Sequence, residues 1–161
     1  MNSIRRRLVC LPVLGLLMAT VGCSSTDDTA TVVVPSPDAY TAKLCRKLHQ
    51  QLPDELDGLE RTDPEPRSEL TAGWGSSAII LRCGVPKPAK MGDLTAPTTE
   101  VDGLGWLIEE PGDGSYRFTS ALREAYVEVT IGSDHKKQSG AASLVVLGRE
   151  IKKAIPKGIA N

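Results

Sequence analysis

Several stretches of this sequence carry residue types that do chemistry. Ser133-Asp134-His135-Lys136 has the Ser-x-x-Lys spacing in which a lysine one helical turn on activates a serine nucleophile. That chemistry needs the pair on a helix and further motifs, and no Lys-Thr-Gly follows. The segment reads instead as a polar turn between a strand and a helix. Cys45 and His49 stand four residues apart, a spacing open to two metal ligands on one helix face. A metal site needs more donors, and the chain's other histidine is His135. Asp54, Glu55 and Asp57 crowd a loop, but not in the twelve-position order of a calcium-binding hand. Glu109 and Glu110 fall on opposite faces of a strand, which rules out an acid and base pair there.

Trp74-Gly75-Ser76-Ser77 precedes an apolar run, and Arg82 falls on that run's far face. With Arg117 and Arg123 these residues compose a shallow cationic site for an anionic cell-envelope group. The plainer alternative is a Trp74 that plugs the edge of the core, with the arginines as surface charges. No catalytic residue, cofactor or metal site is expected.

What positions these residues begins with the export of the chain. Arg5, Arg6 and Arg7 are followed by an uncharged stretch, Leu8 to Val21. A basic head and a short apolar run make a secretory signal. The run falls short of the roughly 20 apolar residues of a membrane span, and Pro12 interrupts it. It closes on Gly22-Cys23, the pattern of a lipoprotein signal. There the cysteine is lipidated, residues 1–22 are removed, and Cys23 becomes the anchor in the lipid bilayer. An ordinary signal peptide cut nearby is the alternative. Residues 23–38 are polar and Pro-bearing, as a flexible tether should be, with an end-to-end distance of roughly 20 Å. Residues 39–161 then form a single domain on the outer face of the cell membrane.

Removing residues 1–22 takes away three arginines and leaves 16 Lys+Arg against 20 Asp+Glu, net −4. No basic run survives outside the signal, so a nucleic-acid partner is not expected. Aromatics are sparse, with two Trp, three Tyr and one Phe. Of four cysteines, Cys10 leaves with the signal and Cys23 takes the lipid. Cys45 and Cys83 remain as a pair in an oxidising compartment, which predicts a disulfide. Two free thiols are the alternative.

Tyr40, Leu44, Leu48 and Leu52 recur every four residues, so a helix is expected over 38–52, capped by Asp38 and ended by Pro53. Residues 57–73 and 86–103 read as irregular loops rich in Pro, Asp and Gly. Ala78 to Gly84 reads as a strand with Ile79, Leu81 and Cys83 on one face. Leu104 to Glu110 and Tyr116 to Thr119 read as a hairpin joined by Pro-Gly-Asp-Gly. Val127, Val129 and Ile131 alternate cleanly with Glu128 and Thr130. Leu144, Leu147, Ile151 and Ile155 follow helical spacing. The expected fold is α+β, a mainly antiparallel sheet of about four strands with an N-terminal and a C-terminal helix packed on one face.

Leu-Pro-Asp-Glu-Leu-Asp-Gly-Leu-Glu-Arg-Thr, Leu-Arg-Cys-Gly-Val-Pro and Gly-Leu-Gly-Trp stand at 52–62, 81–86 and 103–106. Together with Phe118 to Ile131 they resemble a family of small lipoproteins from high-GC Gram-positive bacteria, known only as a domain of unknown function, family 3515. The family often carries a proline where this chain has Ser76-Ser77-Ala78. The resemblance implies an exported, membrane-tethered domain with the Cys45/Cys83 pair, and brings no catalytic residues. The function expected is a non-enzymatic interaction module that binds an envelope protein. An envelope hydrolase or small-ligand binder with a site near Trp74 and Arg82 is the alternative.

Overall fold

Helix α1 (Ala39–His49) begins where the Asp38 carboxylate accepts from the backbone N–H groups of Tyr40 and Thr41, at 2.8 and 3.1 Å. The Thr41 hydroxyl adds a third bond at 2.6 Å. The cap expected at Asp38 is therefore in place. The helix stops three residues short of Leu52, because Pro53 disfavours helical backbone in the residue before it. Leu48 and Leu52 are buried, whereas Tyr40 stays 56% exposed with its hydroxyl on Glu124.

This computed structural model describes residues 29–160 except 77 and 134–139. Cys23 and residues 1–28, Ser77, and the Asp134, His135 and Lys136 of the Ser-x-x-Lys stretch lie outside the described residues.

The sheet is larger than the four strands expected. Strands β1 (Glu55–Leu56) and β2 (Leu59–Glu60) form a small hairpin of their own. The others are β3 (Thr71–Trp74), β4 (Ile79–Cys83), β5 (Thr98–Val101), β6 (Leu104–Glu109), β7 (Tyr116–Ser120) and β8 (Val127–Ile131). They make one six-stranded antiparallel sheet in the order β3-β4-β8-β7-β6-β5. A β3–β4 hairpin thus joins a four-strand meander through β8. The α+β class stands, with β3 and β5 added where loops were expected.

The turns of the two unexpected hairpins, β1–β2 and β5–β6, are both Asp-Gly pairs. Asp57 and Gly58 have φ of +53° and +75°, and Asp102 and Gly103 have +49° and +73°. Two consecutive left-handed residues make the turn whose twist matches antiparallel strands. It pairs Leu56 with Leu59 and Val101 with Leu104.

Helix α2 (Gly140–Ala154) packs beside α1 on one face of the sheet. Leu144, Leu147, Ile151 and Ile155 meet Cys45, Leu48, Ile79, Leu81, Val127, Val129 and Ile131 in a single core. Each such fully buried Leu or Ile contributes about 1.5–3 kcal/mol. The alternation expected in β4 and β8 is the one observed. Cys45 on α1 and Cys83 on β4 are joined by a disulfide with Cα atoms 5.5 Å apart, which pins helix to sheet.

The far face is not bare, as a one-sided sandwich requires. Leu107 and Thr119, cross-strand partners on that face, are 1% and 0% exposed. The connection from β4 to β5, with a 3-10 turn at Ala89–Gly92, crosses over this face. Residues 29–38, expected in the tether, also lie against the domain. Thr31 bridges to Glu65, and Val32 donates its N–H to the Glu65 carbonyl at 2.9 Å. Pro35 is buried, and Pro37 packs on Gly84.

Candidate functional site

The alternation of β4, β7 and β8 places Arg82, Arg117 and Glu128 on the face away from the helices. Arg82 and Glu128 are direct cross-strand partners. Arg82 Nη1 donates to Glu128 Oε1 at 3.0 Å, and Arg117 Nε lies 3.4 Å from Oε2. Arg82 Nε donates to the Val33 carbonyl at 3.0 Å. A shallow cavity of about 350 Å³ opens beside them, lined also by Lys87 and Glu109. Three cations thus face two carboxylates, and Glu128 already occupies both guanidinium groups. The pair's first role is to close the far face and hold the N-terminal segment.

The structure separates the other two members of the expected site. Trp74 is 0% exposed and faces the core, where its indole N–H donates to the Pro53 carbonyl at 3.0 Å. A buried indole needs that partner, so Trp74 is a core plug and offers no surface to a ligand beside Arg82. Arg123 Nη1 donates to the Ile155 carbonyl at 3.3 Å, and its backbone bridges to Lys157. A cation there satisfies carbonyls that the end of α2 leaves open. Of the four residues expected near Trp74 and Arg82, only Arg82 and Arg117 therefore lie together, and Trp74 and Arg123 stand apart from them.

The acidic stretch at 54–57 disperses too. Asp57 accepts from the Ser143 hydroxyl of α2, whereas Asp54 lines a polar cavity of about 570 Å³ with His49, Arg61, Asp63, Glu65 and Arg67. Arg61 contacts His49 Nε2 at 3.0 Å and pairs with Asp63 at 2.8 Å. Burial, then the Arg61 charge, hold the His49 imidazole below its ordinary pKa. Cys45 is committed to the disulfide, so the Cys45/His49 pair is not a metal site.

A third cavity, mostly apolar, escaped the sequence reading. It is an open pocket of about 290 Å³ lined by Thr99, Val101, Ile108, Tyr116, Phe118, Ile131, Ala141 and Leu144. Ile108, Tyr116 and Phe118 share one face by strand alternation, and α2 brings only Ala141 and Leu144 over them. The same-face run of Tyr116 and Phe118 was the available signal. The space suits an apolar group at the small end of ligand-sized pockets.

No helix among the described residues is long and apolar enough to cross a membrane. No curated protein and no solved structure matches the chain. A family model described as a protein of unknown function does match, over residues 8–159. The chain therefore belongs to that family, DUF3515.

Proposed function

We propose that this protein is a lipid-anchored, non-enzymatic module on the extracytoplasmic face of the cell membrane, held through Cys23, that binds an envelope protein. The observation that carries this reading is the Cys45–Cys83 disulfide between α1 and β4. Such bridges persist outside the reducing cytosol and are rare within it. The signal pattern and Cys23 supply the route and the anchor. The test has two parts. The mass of the mature N-terminus from native membranes should show a diacylated Cys23, and Cys23→Ser should release the protein from the membrane fraction. In-cell crosslinking of the full-length protein should capture one recurrent partner, lost with the anchor. An unlipidated N-terminus at another position sinks the anchor, and no partner above background sinks the module.

A second reading has its own observation, the apolar cavity under α2. In it the module carries a small apolar ligand. A fluorescent polyene fatty acid should bind the wild type, and Ala141→Trp should abolish binding by filling the cavity while leaving the fold intact. Equal binding by both proteins ends this reading.

A further inference from the structure

Helix α1 carries Lys43, Arg46 and Lys47 and no acidic residue between Ala39 and His49. All three are exposed. Among the described residues Lys43 and Arg46 form no ion pair, and Lys47 Nζ donates only to the Lys153 carbonyl, at 3.4 Å. Their stems, with Tyr40, Leu44 and Gln50, line a shallow and mostly apolar groove of about 520 Å³. Tyr40 is 56% exposed at one end of it. The acidic groups near this face are engaged. Asp38 caps the helix, Glu124 takes the Tyr40 hydroxyl, and Glu150 pairs with Lys153 at 2.8 Å. A chain with a net charge of −4 after loss of residues 1–22 thus turns a cationic face outward on α1.

The path of the N-terminal segment brings this face to the bilayer. Thr29 and His49, the last residue of α1, line one cavity. The stretch from Cys23 to Thr29 spans at most about 20 Å, and an 11-residue helix is about 16 Å long. A lipid on Cys23 therefore keeps all of α1 within reach of the headgroups. Basic side chains around an exposed tyrosine, with the half-buried Leu44 beside it, suit a helix face that lies at a membrane surface.

We propose that α1 docks flat on an anionic phospholipid surface through Lys43, Arg46 and Lys47, with Tyr40 and Leu44 at the headgroup level. This rests on the Cys23 anchor for its geometry. The three cations and an anionic leaflet are complementary, and three such charges favour the docked orientation on the order of 100-fold. A diacylated Cys23 holds the protein on the membrane by itself, and the basic face sets how the domain lies on the surface. The α1 face is then unavailable to a protein partner.

The test uses the full-length protein extracted from native membranes and reconstituted into vesicles of phosphatidylcholine, alone or with about a third phosphatidylglycerol. Tyr40→Trp supplies a reporter, read as a difference from the wild type, whose Trp74 and Trp106 are buried. Brominated lipid should quench the reporter in phosphatidylglycerol vesicles. High salt should relieve the quenching, as should the triple change Lys43→Glu, Arg46→Glu and Lys47→Glu. Flotation separates the two readings. A protein that floats with both vesicles while its reporter stays open to acrylamide in both overturns the docked helix and leaves the anchor. A protein that floats only with phosphatidylglycerol supports the helix surface and overturns the anchor. A protein that floats with neither overturns both.

Discussion

Arg82 and Glu128 face each other across β4 and β8, 3.0 Å apart, on the side of the sheet turned away from the helices. The same carboxylate reaches Arg117 on β7 at 3.4 Å. Arg82 uses its remaining edge on the Val33 carbonyl, so one side chain couples the sheet to the segment that leads toward Cys23. Two arginines that look like a free anion site in the sequence are held by one glutamate, which lies 46 positions beyond Arg82.

Glu128→Gln should therefore destabilise the fold. The Glu128 side chain is 10% exposed and that of Arg82 is 24% exposed. Losing one partner of a fully buried pair costs about 3–5 kcal/mol. Water reaches Arg82, so the expected loss is about 1–2 kcal/mol in urea unfolding. An unchanged midpoint would show that the triad does not hold the far face.

The disulfide closes 38 residues. Chain entropy makes such a bridge worth about 4 kcal/mol. Replacing both cysteines by alanine should lower the unfolding free energy by up to that amount. Leu48 and Leu81 should keep the helix on the sheet, so the variant remains folded at low temperature. A variant as stable as the wild type under oxidising conditions contradicts the pairing.

Trp74→Phe separates a core role from a ligand role. It leaves the Pro53 carbonyl without its indole donor in a buried site, which costs about 1–3 kcal/mol. The protein should lose that stability while retaining partner capture in crosslinking. Lost capture with unchanged stability would return Trp74 to a binding site.

The elements legible in the sequence are those whose side chains see two different environments. Val127, Val129 and Ile131 face the core while Thr130 meets solvent, so β8 shows its period. In β3 all four residues are buried, and Gly73 interrupts them because a Cβ there would lie 2.6 Å from the Thr62 carbonyl. A strand enclosed on both faces has no alternation to read. Strand β5 hides for the opposite reason. It is an edge of Thr98, Thr99, Glu100 and Val101, with little apolar content. The hairpins at 57–58 and 102–103 were readable, since Asp-Gly carries the turn chemistry. The candidate site was less legible. Which arginine meets which carboxylate depends on β4 and β8 becoming neighbours, and the sequence leaves that pairing open.

Gly84→Ala tests how the N-terminal segment is held. Gly84 has φ +83°, and an added Cβ would lie 2.6 Å from Pro37 Cγ. The left-handed backbone alone costs about 1–2 kcal/mol, and the contact pushes Pro37 away. Limited proteolysis within 29–38 should accelerate severalfold, ahead of cleavage in the sheet. Uniform acceleration throughout the chain would mean that the segment is no separate unit.

His49 sets the pH dependence above the carboxylate range. Burial is the larger cause of its lowered pKa and the Arg61 guanidinium the second, while Asp63, Glu69 and the Thr71 backbone act the other way. The unfolded chain protonates this imidazole near its ordinary 6.5, and the folded chain resists until a lower pH. In that window the unfolded state binds more protons, so stability falls as the pH falls. The Asp38, Asp93, Asp102 and Asp113 carboxylates all lie below their ordinary 3.8, so they lend stability that is lost only in more acidic solution. Urea unfolding should show a decline in stability from pH 7.5 to 5, and His49→Gln should flatten it. If the slope between pH 6.5 and 5 is the same in both proteins, His49 does not titrate against Arg61, and the polar cavity it shares with Thr29 is more open to water than its geometry implies.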